Sequence, residues 1–175
     1  MSAADLVHCP RCAGSLEWRA FESAAVRHPV CVSCRSVLWQ NRLSSVEALI
    51  VRGSGAKLEV LLGRRRDTSL WDLPGGFLNA SDTITGALAR NCRSEVGVEI
   101  AVLQIVGAYE DEFEGASIVS IVYTCKLTSG EPRAAGPIDT VAWFPVFDVP
   151  ELAFSYARLA VADLQARERQ APGRS

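Results

Sequence analysis

Apolar and polar positions alternate most clearly in Lys57–Leu62, KLEVLL, which follows the apolar run Val46–Val51, VEALIV, across a turn at Gly53-Ser54-Gly55-Ala56. Two such runs joined by a glycine turn predict a β-hairpin. Downstream, Ile100–Ala108 and the β-rich run Ser117–Leu127, SIVSIVYTCKL, predict further strands, with the acidic stretch Glu110–Glu114 as the tip between them. Thr128-Ser129-Gly130 turns the chain, and Thr140–Val146 predicts the last strand. Helical spacing occurs twice. One helix follows a cap at Ser81 or Asp82, runs to about Glu95 and stops at Gly97. The other spans about Ser155 to Arg169 and buries a face of Ala157, Ala160, Val161 and Leu164. Ahead of all this, LEWRAFESAAVRHPV predicts a small hairpin.

Composition bounds the protein class. The 175 residues are 49% hydrophobic and 22% charged, which suits one ordinary domain plus a small module. The expected division is a tail over 1–8, a small module over 9–39, the main domain over 46–169 and a tail over 170–175. A net charge of −2 argues against non-specific binding to nucleic acid or membranes. No apolar run reaches the ~20 residues of a membrane span. The N-terminus has no signal-peptide pattern, so a cytoplasmic location is expected.

Four of the six cysteines form two C-x-x-C pairs, Cys9/Cys12 and Cys31/Cys34, separated by 18 residues. Each pair aims two thiolates at one point, and four thiolates match tetrahedral zinc. The spacing predicts a zinc ribbon with a closed, structural site. A module of about 30 residues buries little core, so the metal supplies its folding energy. His28 is expected to be solvated or locally bonded, and His8 to belong to the tail. Cys92 and Cys125 are expected in the core.

The candidate chemistry lies in Leu70–Val98, LWDLPGGFLNASDTITGALARNCRSEVGV. Pro74 fixes a turn in which Gly75 and Gly76 permit close approach to a ligand. Trp71 suits stacking on a base and, equally, burial beneath the loop. Positions 91, 94 and 95 fall at i, i+3 and i+4 and so share one helix face. Arg64, Arg65 and Arg66 close the second strand, where they suit a phosphate clamp or a solvated cluster.

This stretch resembles the Nudix box, G-x5-E-x7-R-E-U-x-E-E-x-G-U with U apolar. Gly76, Asp82, Arg90, Cys92, Glu95, Gly97 and Val98 fill the frame without a gap. Asn91 and Ser94 stand where the family has glutamates. The order of elements, and WFPVFDVPELAF before the last helix, are also similar to the Nudix pattern. With the ribbon, the chain resembles bacterial members of the NADH pyrophosphatase and ADP-ribose pyrophosphatase type over about Cys9 to Arg169.

The resemblance implies an α/β fold, a mixed sheet sandwiched between helices and preceded by the zinc ribbon. It implies hydrolysis of a nucleoside diphosphate-linked substrate with Mg²⁺ or Mn²⁺. The divalent ion is expected at Glu95, the Asn91 side-chain carbonyl and the Gly75 backbone. Asp82 and Arg90 are expected to fix the loop against the helix. Substrate contacts are expected from Gly75, Gly76, Arg64, Arg66 and Trp71. Glu110, Asp111, Glu112, Glu114 and Asp139 are candidate compensating acids. The missing glutamates keep a second reading open, a non-catalytic module for a nucleotide-like metabolite or a protein partner. A third is another reaction in the same cleft. A homodimer is compatible with all three.

Overall fold

The computed structural model describes residues 7–170 apart from 22 and 40. Of the tails expected over 1–8 and 170–175, residues 1–6 and 171–175 lie outside the described residues. The chain divides into two compact units, Met1–Asn41 and Arg42–Ser175.

In the first unit, β1 (Leu16–Phe21) pairs antiparallel with β2 (Ser23–Cys31). The hairpin brings Cys31 back beside the first C-x-x-C turn. Apolar packing is thin: Val30, Cys31 and Cys9 are buried, and His28 is enclosed by the rings of Phe21 and Trp39.

The second unit carries a seven-stranded mixed sheet. Strand β3 (Leu43–Arg52) runs through its middle and pairs parallel with β8 (Ala116–Ser129) along its whole length. Its other edge forks. Strand β4 (Glu59–Arg65) pairs with it only at Val51 and Arg52 and then departs to pair with β9 (Ile138–Pro145). At the opposite end of β3, β6 (Gly75–Phe77) takes the edge, with Glu47 opposite Gly75. The short β5 (Trp71–Asp72) pairs with β4, and β7 (Glu99–Phe113) forms a long hairpin with β8. The expected acidic tip is therefore mostly strand. Only Glu114 and Gly115, both at positive φ, make the turn.

Helix α1 (Ile84–Val96) is capped by Thr83, whose side chain accepts from the Gly86 N–H, rather than by Ser81 or Asp82. Asp82 is engaged elsewhere, as described below. Gly97, at φ 72°, ends the helix. One side of the sheet packs on α1 through Val46, Ala48, Ile50, Ala87, Leu88 and Cys92. The other side packs Leu49, Val60, Leu62 and Val122 under α2 (Ser155–Gln170). All four apolar positions expected to face inward from α2 are buried, and Tyr156 joins them. Among the described residues no helix is long and apolar enough to cross a membrane.

Candidate functional site

Two-residue alternation along β3 puts Ser45, Glu47, Leu49 and Val51 on one face. Leu49 and Val51 feed the core under α2, whereas Ser45 and Glu47 line a cavity of about 250 Å³. The cavity collects one or two polar groups from each of several elements. Glu47 comes from β3, Arg65 from β4, Asp72 from β5, Glu95 from α1, and Asp111 and Glu112 from β7. Phe77, Phe113, Phe154 and Tyr156 supply an aromatic side.

Three of these acids are withdrawn from water. Glu95 Oε2 accepts the Gly75 N–H at 3.1 Å. Burial pushes its carboxyl up to about 7 despite that bond. Asp72, 5% exposed, accepts the Tyr156 hydroxyl at 2.7 Å and its neighbour's N–H at 2.8 Å. Burial still raises it to about 6. Glu47, 4% exposed, is pushed well above the carboxylate range by burial and by the Asp72 charge. The nearest cation is Arg65, with Nη1 3.6 Å from Asp72 and Nη2 2.7 Å from Asp67.

A stability profile follows from these shifts. A carboxyl raised by folding binds its proton more tightly in the native state, so stability is lost as pH rises through the folded-state value. Without added divalent ion, the domain is expected to lose about 3 kcal/mol through Glu95 alone between about pH 5 and pH 8. Urea unfolding followed by the circular dichroism of the two helices measures it. A rise in stability over that window contradicts the burial of these acids.

The other expected site residues fall into distinct places. Of the helix face 91, 94 and 95, only Glu95 lines the cavity. Ser94 is exposed and donates its hydroxyl to the Asn91 backbone carbonyl at 3.0 Å. The Asn91 Nδ2 is buried without a hydrogen-bond partner, and it lies 3.3 Å from where a Cβ on Gly76 would stand. Gly75 and Gly76 line the cavity. Asp82 accepts Arg90 at 2.6 Å and the Asn79 backbone N–H at 2.8 Å, which ties the loop to α1. The Arg90 bond, with the Asn79 N–H, holds Asp82 down to about 2.

Arg64 and Arg66 are engaged away from the cavity, with Asp139 at 2.8 Å and the Gly136 carbonyl at 3.1 Å. Asp139 is therefore paired and outside the lining. Trp71 packs edge-on against Phe144 at 4.6 Å, in the core layer under α2. Glu110 is exposed, in an ion pair with Arg42 at 3.3 Å. Asp111 accepts the Tyr156 N–H at 3.1 Å and so caps the start of α2.

Sequence reasoning passed over Glu47, Asp72 and Tyr156, and among the three arginines it expected substrate contacts from Arg64 and Arg66 rather than Arg65. Glu47 left a trace: it is the one acid in VEALIV, and it shares a face with Leu49 and Val51. Arg65 left another, since alternation sends it to the opposite side of β4 from Arg64, while Arg66 lies in the turn beyond the strand.

In the first unit, the Sγ atoms of Cys9, Cys12, Cys31 and Cys34 all lie within 4.8 Å of one another. Tetrahedral Zn–S bonds of ~2.3 Å place sulfurs about 3.8 Å apart, and the Cys9–Cys34 and Cys12–Cys31 pairs stand at 3.7 and 3.4 Å. The Arg11 and Cys34 amides each approach a sulfur, Cys9 and Cys31, at 3.4 Å. The donor set fits zinc and leaves no position for substrate. His28 stands outside it. The cavity in the second unit offers hard oxygen donors and a surplus of negative charge, which fits Mg²⁺ or Mn²⁺.

Comparison with known proteins agrees with this architecture. A profile of the NUDIX domain matches residues 41–164. A MutT-like protein of Streptomyces ambofaciens is 33% identical over 61% of this chain and 66% of its own length. An ADP-ribose pyrophosphatase of Methanocaldococcus jannaschii is 26% identical over 58% of this chain and 63% of its own. The NAD-capped RNA hydrolase NudC of Deinococcus radiodurans is 27% identical over 79% of this chain and 51% of its own. The chain thus spans less than two thirds of the length of each of these relatives. A crystal structure of a NUDIX hydrolase from Nitrosomonas europaea shares the fold, with a TM-score of 0.73 at 20% identity over 95% of this chain and 92% of that one. The NUDIX domain of Shewanella oneidensis NrtR, solved with ADP ribose, superposes with a TM-score of 0.60 at 22% identity, over 74% of this chain and 90% of that one. Since the profile match covers more than half of the sequence, the chain belongs to the NUDIX family.

Proposed function

We propose that the cavity hydrolyses the diphosphate of a nucleoside diphosphate-linked substrate of the ADP-ribose or NADH type, with Mg²⁺ or Mn²⁺. One observation carries the reading: Glu95 reaches from α1 into a cavity built on the Gly75-Gly76 loop, with Arg65 facing the same space. The ADP-ribose pyrophosphatase and NudC relatives support the substrate class.

A bound divalent ion neutralises phosphate charge and acidifies a water molecule. The residues of the chain do the rest. Arg65, braced by Asp67 and Asp72, is placed to bind phosphate oxygens. Glu95, oriented by the Gly75 N–H, would hold the ion and accept the proton of the attacking water. Water oxygen bonds to one phosphorus, the bridging P–O bond breaks, and the leaving phosphate keeps the electron pair. Asp82 and Arg90 hold the loop and do not touch the reacting atoms. The ribbon carries one structural zinc, and the setting is the reducing cytoplasm.

A second reading, a module that binds such a metabolite without turnover, draws on Asn91 and Ser94, which leave α1 with one carboxylate at the cavity. Assays against ADP-ribose and NADH with Mg²⁺ or Mn²⁺, beside Glu95→Gln, separate the two. The expected loss in kcat is about 100-fold or more, as for removal of a general base. Tight binding of a substrate with no turnover selects the second reading. Full activity in Glu95→Gln removes Glu95 from the reaction.

A further inference from the structure

We propose that Glu47 is a second carboxylate ligand for a divalent cation in this cavity, acting across Gly75 from Glu95. The proposal rests on the cation-dependent reading above and extends it to a residue on the sheet.

The register of β3 and β6 sets Glu47 directly opposite Gly75. Glu47 Oε2 fills the space over that glycine, 1.7 Å from where a Cβ would stand. On the same glycine, the N–H is bonded to Glu95 Oε2 at 3.1 Å. Two carboxylates, one from the central strand and one from α1, therefore flank a single residue of the loop.

Their surroundings differ from those of Asp72. Asp72 has the Tyr156 hydroxyl, the Leu73 N–H and Arg65. Glu47 has no ion pair among the described residues. Its short-range help comes from the Ser45 hydroxyl, which is already 2.9 Å from Ser120 Oγ. A buried carboxylate without a counter-charge costs several kcal/mol unless it is paired, protonated or bound to metal. Here it faces an open cavity lined by further acids. Beside the same glycine pair, the buried Asn91 Nδ2 has no acceptor. Carboxylate oxygens over Gly75 with no cation beside Glu47 describe a site that binds a divalent ion, while the Asn91 donor is set back behind Gly76, outside the lining. Glu47 also stands on a strand hydrogen-bonded along both edges, which gives a ligand a fixed position.

The test is Mn²⁺ titration of zinc-loaded protein, with free ion followed by electron paramagnetic resonance. Wild type is expected to bind Mn²⁺ and to gain thermal stability from it. Glu47→Gln is expected to bind at least about 10-fold more weakly and to lose the Mn²⁺-dependent rise in Tm. Its zinc content should be unchanged, and without Mn²⁺ it should be at least as stable as wild type, since the buried charge is gone. Glu47→Asp, which keeps the charge, should retain binding that Glu47→Gln loses. Equal Mn²⁺ affinity in wild type and Glu47→Gln overturns the proposal, as does a wild type that binds no Mn²⁺. Hydrolysis of ADP-ribose in the same samples separates the two readings. Glu47-dependent Mn²⁺ binding without turnover keeps this site and rejects the hydrolase. Turnover with Mn²⁺ affinity indifferent to Glu47 does the reverse.

Discussion

Removal of zinc is expected to unfold the first unit while the sheet of the second unit persists. The hairpin of β1 and β2 has two strands and little beneath it, since Trp18, Val32 and Trp39 remain 44%, 50% and 60% exposed. A two-stranded hairpin is marginal in water by itself. Zinc binding to four thiolates contributes on the order of 10 kcal/mol, far more than the ring contacts around His28. Metal analysis of reduced protein should find one zinc per chain. Hydrogen exchange after chelation should show protection lost across residues 16–31 and kept in β3, β8 and α1. Cys31→Ser should behave like the chelated protein. Protection that survives chelation would show that the hairpin stands without its metal.

Gly75→Ala is expected to destabilise the second unit and disable its cavity together. The added Cβ would stand 1.7 Å from Glu47 Oε2 and 2.5 Å from the Val46 carbonyl oxygen. The carboxylate can rotate away only by abandoning its place in the cavity. The Val46 carbonyl belongs to the central strand, paired on both sides, and cannot yield cheaply. Overpacking of this kind costs about 3 kcal/mol, which lowers Tm by about 10 °C in a domain of this size. Hydrolysis and Mn²⁺ binding should fall with it, because the Gly75 N–H that orients Glu95 moves. The double variant Gly75→Ala, Glu47→Ala should recover part of the lost Tm, since the shorter clash disappears and the backbone clash stays. A single variant as stable as wild type would mean that β6 does not lie against β3 in this register.

Local signals account for what the sequence disclosed. The 3.6-residue period of α1 and α2, the glycine stop at Gly97 and the paired cysteines depend on neighbours a few positions away. So does the box frame, because Asp82, in the loop just before α1, and Arg90, on that helix, are eight residues apart and bond directly. The features that stayed hidden depend on pairing between distant strands. Glu47 becomes a site residue only when β6 returns to the forked edge of β3. Which arginine of the three enters the cavity is set by the parity of β4 in the sheet, and a slip of one residue would have chosen its neighbours. The cap at Thr83 was missed because Asp82 is held by Arg90 and the Asn79 amide, leaving the next hydroxyl to the helix. Asp111 looked like a free acid in a loop tip. It is a strand residue whose carboxylate is taken up by the first turn of α2.

The parallel pairing of β3 with β8 has a consequence for how the cavity comes into being. Its hydroxyl contact joins Ser45 to Ser120, 75 residues apart, and the Tyr156–Asp72 bond spans 84. Long loops must close before such contacts return any free energy, which slows folding into the millisecond-to-second range. The thiol pairs of the ribbon, by contrast, close over 19 and 25 residues. During synthesis the zinc unit can therefore close while most of the sheet is still emerging. Glu47, Asp72 and Glu95 come from the earlier elements β3, β5 and α1, but Ser120 and Tyr156 complete the cavity around them only when β8 and α2 arrive, so the full cost of enclosing these acids is deferred to the last step of folding, where a divalent ion in the surrounding solution can relieve it and pull the final docking forward.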